Sequence, residues 1–134
     1  MADIKPIEAN IVSTLEQVTG FKKVYDHEPK TLTPPAATLY FDGFSQADTA
    51  SRRKKVTWRW FVRIYVALQD PVKAQDEIKI LVNDSLDRLA ANPQLGGTVK
   101  FHNVTNGEIY VALDQNNPQM IAEMTLEVEV DRNY

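Results

Sequence analysis

From Val56 to Leu68 every second residue is apolar, and most of the residues between them are polar or amphipathic. Val56, Trp58, Trp60, Val62, Ile64, Val66 and Leu68 fall on one face at period two, and Thr57, Arg59, Phe61, Arg63, Tyr65 and Ala67 on the other. With Lys54 and Lys55 leading in, a straight strand over 54–68 would span roughly 46 Å at about 3.3 Å per residue. A compact domain of this length has a diameter of about 36 Å. The pattern therefore predicts either a bulge or an end that projects beyond the core, and a projecting two-sided strand needs a partner.

Around this strand the periodicity changes. Ile4, Ile7, Ile11, Leu15 and Val18 recur at helical spacing, with Asp3 placed to cap, Pro6 in the first turn and Gly20 as a stop, so a helix is expected over 4–19. A short β-like piece, 21–25, leads into a proline-rich loop over 26–35, and Ala36 to Asp42 alternates as a strand. Gly43 to Ser51 is small and polar and reads as an arm or hairpin tip. Asp70-Pro71 opens a second helix whose buried stripe is Ile78, Leu81, Val82, Ser85, Leu86 and Leu89, ended by Asn92-Pro93. Thr98 to Val104 and Glu108 to Leu113 read as a hairpin about Asn106-Gly107, and Met120 to Val130 as a last strand with Glu123, Glu127, Glu129 and Asp131 opposite its apolar residues.

That order predicts an α+β fold: a mostly antiparallel β-sheet of four to five strands with two helices packed on one face. A parallel doubly wound sheet would need helices between most strands. At 134 residues and 43% hydrophobic content the chain suits one domain, 1–134, with a protruding arm or hairpin around 43–55. The start MADIKPIEAN lacks the basic and apolar regions of a signal peptide, and no stretch approaches a membrane span, so a soluble protein is expected.

Charge and motifs narrow the chemistry. A net charge of -3 argues against a protein built chiefly to hold nucleic-acid phosphate. Without cysteine there are no disulfides, thiolate nucleophiles or Cys-based zinc sites. His27 and His102 have no companion at ligand spacing, so no metal or cofactor is assigned. Ser13, Ser45, Ser51 and Ser85 sit in no nucleophile elbow. Leu95-Gly96-Gly97-Thr98 follows a helix and precedes a strand, the reverse of a phosphate loop, and reads as a helix exit. Asp84 and Asp87 lie off the apolar stripe on a solvated face. No enzyme constellation emerges.

The basic run Arg52-Arg53-Lys54-Lys55, with Trp58, Arg59, Trp60, Phe61 and Arg63, is the one candidate site. As a single-strand nucleic-acid surface it would supply charge and stacking rings. The competing reading puts Trp58 and Trp60 in the core and sets Arg59 and Arg63 against Glu127 and Glu129 of the last strand, which consumes the charge within the sheet. Specific nucleic-acid recognition is therefore not expected.

Taken together, the N-terminal helix, PPAATLYFDG at 34–43, the polar arm, KVTWRWFVRIYVAL at 55–68, the helix DPVKAQDEIKILVNDSLDRLAANPQLGG at 70–97 and MTLEVEV at 124–130 resemble the tail terminator, or tail completion, proteins of bacteriophages. The resemblance covers nearly the whole chain and rests on pattern and order. It implies a homo-oligomeric ring, a hexamer, that caps the tail tube protein, stops polymerisation and presents a surface to a head-tail connector or neck protein, with DNA passing through. It further implies a virion location at the head-proximal end of the tail. Another head-tail joining protein and a small nucleic-acid-binding regulator are the alternatives. From the charge pattern, Arg52, Arg53, Lys54, Lys55, Arg59, Phe61, Arg63, Glu127 and Glu129 are the candidate subunit or tube contacts.

Overall fold

The structure, a computed structural model, describes residues 4–48, 53–97, 99–113 and 117–133. Its elements are α1 (Ile4–Glu16), β1 (Lys23–Tyr25), β2 (Ala36–Asp48), β3 (Arg53–Ala67), α2 (Pro71–Ala90), β4 (Phe101–Ala112) and β5 (Gln119–Asn133). The five strands form one sheet in the order β1-β2-β3-β5-β4. Only the β1–β2 pair is parallel. This is the expected α+β fold.

β3 is central and paired on both sides. It meets β2 from Ala36↔Tyr65 to Asp48↔Lys54 and β5 from Arg53↔Asn133 to Ala67↔Gln119. The excess length foreseen for this strand is thus shared by three strands, and the bulge lies on its neighbour, between Phe41 and Gly43. The polar segment expected as an arm continues β2 as far as Asp48, and residues 49–52 fall outside the described ones.

One face of β3 makes the core. Val56, Trp58, Trp60, Val62, Ile64 and Val66 join Ile7, Ile11 and Leu15 of α1, Ala74, Ile78, Leu81 and Leu89 of α2, and the inward row of β5 in a single buried cluster. Trp60 is fully buried and donates through Nε1 to Glu8 Oε2 at 3.0 Å, which ties α1 to the sheet. Asp70 caps α2 by accepting from the backbone N–H of Val72 at 3.1 Å and of Lys73 at 3.4 Å, and Pro71 takes the first helical position.

The far end of α2 is closed by tertiary contacts. Asn92 donates from Nδ2 to Thr14 Oγ1 at 3.0 Å and accepts from the Gly96 N–H at 3.1 Å. His102 Nε2 lies 2.9 Å from the Leu89 carbonyl and 3.0 Å from that of Asn92, where the helix leaves carbonyls without intrahelical donors. The chain then turns through positive φ at Leu95, Gly96 and Gly97, and a Cβ on Gly96 would stand 2.7 Å from Asn10 Oδ1. The Leu95-Gly96-Gly97 segment is a helix exit, as its position after α2 implied.

Three expectations are corrected. Asn106-Gly107 makes no hairpin: both halves pair with β5, from Phe101↔Glu129 to Ala112↔Gln119, with a bulge between Val104 and Asn106. A long ready-made partner strand outcompetes the local turn, and the irregularity survives as the bulge. The first helix stops at Glu16, and Gln17, Val18 and Phe21 continue in tight turns to the carbonyls of Thr14, Leu15 and Val18. In α2, Leu86 is 38% exposed and Val82 half-buried, so the fully buried stripe is narrower than the apolar one.

Trp60→Ala should lower stability by about 3–5 kcal/mol, the range for truncating a large buried aromatic. In urea unfolding this appears as a lower midpoint at unchanged slope. A loss under about 1 kcal/mol would show that the α1–sheet seam is not a principal support.

Candidate assembly surface

Among the described residues no helix covers the opposite sheet face, and a polar network crosses it. Arg63 donates from Nε to Glu123 Oε2 at 2.6 Å and from Nη1 to Glu28 Oε1 at 3.0 Å. Glu28, in the β1–β2 loop, also accepts from Thr38 Oγ1 at 2.6 Å and from the Tyr65 hydroxyl at 2.8 Å. Tyr110 of β4 donates to Glu123 at 3.2 Å. One connected set thus links that loop to β2, β3, β5 and β4. The Arg63 guanidinium lies 5.3 Å from the Tyr40 ring centroid and 5.4 Å from that of Phe61, and those two rings are stacked.

Titration follows from this packing. Burial pushes the Tyr65 hydroxyl well above the ordinary tyrosine range, helped by its hydrogen bond to Glu28 and by that carboxylate's charge. Burial works against the Arg63 cation, yet its hydrogen bonds to Glu123 and Glu28 outweigh it and hold the guanidinium more firmly protonated. Tyr110 is raised too, through burial first and the Glu123 charge second.

The candidate residues occupy the following places. Arg52 lies outside the described residues, and Arg53 begins β3 opposite Asn133. Lys54 pairs with Asp48 across the hairpin, and Lys55 with Glu129 at 2.5 Å. Arg59 stands opposite Glu127 in register, while its ion pair is with Asp42 at 3.5 Å. Phe61 belongs to the ring stack. Arg63, Glu123 and Thr38 form one cross-strand row, so the acids of Arg63 are Glu123 and Glu28, not Glu127 or Glu129. Glu129 is only 6% exposed, its charge answered by Lys55. The charge of both arginines is thus answered within the chain: register sets Arg59 opposite Glu127 and Arg63 opposite Glu123, and the ion pairs run to Asp42 and to Glu123 and Glu28.

Two apolar surfaces lie on the helix side of the sheet, one at each edge. On β2, Phe41 and Phe44 are exposed and pack against Trp58, with centroids 6.1 and 5.7 Å away, and Phe41 also meets the Trp60 edge at 5.4 Å. Between α2 and β4, Ile78, Val82, Leu86, Ile109 and Met120 line a groove of about 380 Å³ rimmed by Gln75, Lys79 and Asn83. β2 has an outer partner only at 36–38, and β4 is the other edge of the sheet. The sequence pattern gave Phe44 away only as an aromatic within a polar stretch. Glu28, in a loop without periodicity, carried no signal.

Among the described residues no helix is long and apolar enough to cross a membrane. His27, on the loop, pairs with Asp26 at 2.7 Å, and among the described residues no cluster of three or more His, Cys, Asp or Glu is placed to hold a metal ion. No protein-family model matches the sequence, and no curated protein is similar to it in sequence. In backbone the chain is similar to a chain from the virion of a native gene transfer agent (GTA) particle. The TM-score is 0.63 at 12% identity, over 91% of this chain and 93% of that one. What the two share at that identity is the fold.

Glu28→Ala would strand the buried hydroxyls of Thr38 and Tyr65, at a cost of about 1–3 kcal/mol each. Chemical denaturation should show such a loss, whereas Glu28→Gln, which keeps an acceptor, should show less. Tyr65 gives a pH signature. Its folded pKa is raised, so the stability tied to its proton is whole below pH about 10 and is lost as pH rises beyond. Tyr65→Phe should therefore flatten the alkaline fall in stability and remove a late component from the 295 nm tyrosinate titration; an unchanged curve would contradict the burial argument.

Proposed function

We propose that this chain is a structural virion protein of the tail-terminator type. It forms a ring, a hexamer, that seats on the last ring of the tail tube, ends tube polymerisation and offers a surface to the head connector, with DNA passing through the centre. Its work is binding and assembly, without catalysis or a cofactor.

The observation that carries this reading is the backbone likeness to a chain of a gene transfer agent virion, which extends over nearly the whole of both chains. The resemblance in element order to tail terminator proteins agrees with it. A closed ring needs two different patches on each subunit, related by a rotation that closes, and this sheet has free edges of different character at its two ends. In this reading the hairpin end with Arg52, Arg53, Lys54 and Lys55 reaches the adjacent subunit or the tube. Arg59, Phe61, Arg63, Glu127 and Glu129 belong to the helix-free face that lies beside that contact.

Mixed with its tube protein, the protein should be seen at one end of growing tubes by electron microscopy and should shorten their length distribution. Unaltered tube length with no end-binding would reject the terminator reading. Capture of the connector without the tube would make it a different head-tail joining protein. Salt-sensitive DNA or RNA binding that fades when Arg52, Arg53, Lys54 and Lys55 are neutralised would favour a nucleic-acid-binding regulator.

A further inference from the structure

We infer that the apolar groove between α2 and β4 is the seat for the Phe41–Phe44 flank of β2 from a neighbouring copy of this chain. The inference deepens the ring reading and rests on it, since it specifies which two patches make the head-to-tail contact.

Three observations converge. Phe41 and Phe44 are 39% and 61% exposed, an expensive display of aromatic surface on a strand edge, and across the sheet Ile109 and Leu86 are 55% and 38% exposed over the groove. Both patches lie on the helix side. Phe41 and Phe44 register with Trp60 and Trp58, and Ile109 registers with the buried Ala122. Phe44 is level with Trp58 and Ile109 with Ile64, six rungs apart along β3, so copies laid edge to edge, β2 of one beside β4 of the next, bring the two patches together after a slide of about 20 Å along the strands, without turning either sheet over. The contact is heterologous, the kind that generates rings.

Charge and length agree. Asp48 shares the helix-side parity of Phe44, and its side chain is 75% exposed even while paired with Lys54. Lys79 stands on the groove rim and is exposed. From Phe41 to Asp48 the strand covers roughly 23 Å, and from Gln75 to Leu86 the helix rises about 17 Å. A rim lysine can thus answer the acidic end while the rings enter the apolar part.

The bulges say how contact is made. β2 is irregular between Phe41 and Gly43, and β4 between Val104 and Asn106. An uninterrupted ladder along both edges is disfavoured, so side chains, not strand addition, supply the contact.

The absence of native cysteine allows a direct test. The double variant Phe44→Cys/Ile109→Cys, treated with a short bis-maleimide at high protein concentration, should give a ladder of covalent oligomers. The two single variants mixed should stop at dimers, and neither single variant alone should cross-link. Leu86→Arg, at an already exposed position, should keep the wild-type melting profile while weakening self-association by at least about tenfold in sedimentation. Cross-linking of Phe44→Cys with itself, or full self-association of Leu86→Arg without a ladder from the double variant, overturns this contact and leaves the ring reading standing. Leu86→Arg that self-associates normally but no longer binds the tube protein assigns the groove to that protein and equally overturns it. If neither wild-type self-association nor cross-linking is found at any concentration, alone or on tubes, the contact and the ring fail together.

Discussion

The structure depends on one constraint: β3 is paired on both sides from Lys54 to Tyr65. Because side chains of a strand alternate with period two, this pairing fixes every neighbour into an inner or an outer row. The inner row of β3 runs through Trp58 and Trp60 and collects both helices. The outer row runs through Arg59, Phe61, Arg63 and Tyr65, and its cations meet Asp42, Glu123 and the loop residue Glu28. A slip of one residue would exchange the two rows, so core and polar network specify the same register independently.

Much of this was legible in the sequence because it is periodic. The inner and outer rows of β3, the Asp70-Pro71 start of α2 and the end near Asn92 are local signals with local causes. What escaped is non-local. Asn106-Gly107 is a strong turn signal taken alone, and only the presence of β5 as a partner for both flanks turns it into a bulge. That Glu123, not Glu127 or Glu129, faces Arg63 is a matter of register between strands about sixty residues apart. Glu28 stands in a loop that no pattern places, and it reaches the sheet only because the parallel β1–β2 connection folds back over Thr38 and Tyr65. Leu86 satisfies helical periodicity yet stands at the margin of the sheet, where none of the described residues covers it fully.

Lys54 and Lys55, conspicuous in sequence, are answered by Asp48 and Glu129 of the same chain. The surfaces left wanting a partner are apolar and lie at the sheet margins. In the ring proposed above, association would rest on shape and apolar burial, with charge steering the approach.

The ribbon formed by the outer halves of β2, β3 and β5 also has a mechanical property. Antiparallel hydrogen bonds lie perpendicular to the strands, so a pull along β3 from the Asp48–Lys54 end loads many rungs at once in shear. A sideways pull at the same end would peel them one after another. The molecule is thus stiff in one direction and yielding in another, and the stiff direction runs from the hairpin end straight to the aromatic row against the helices.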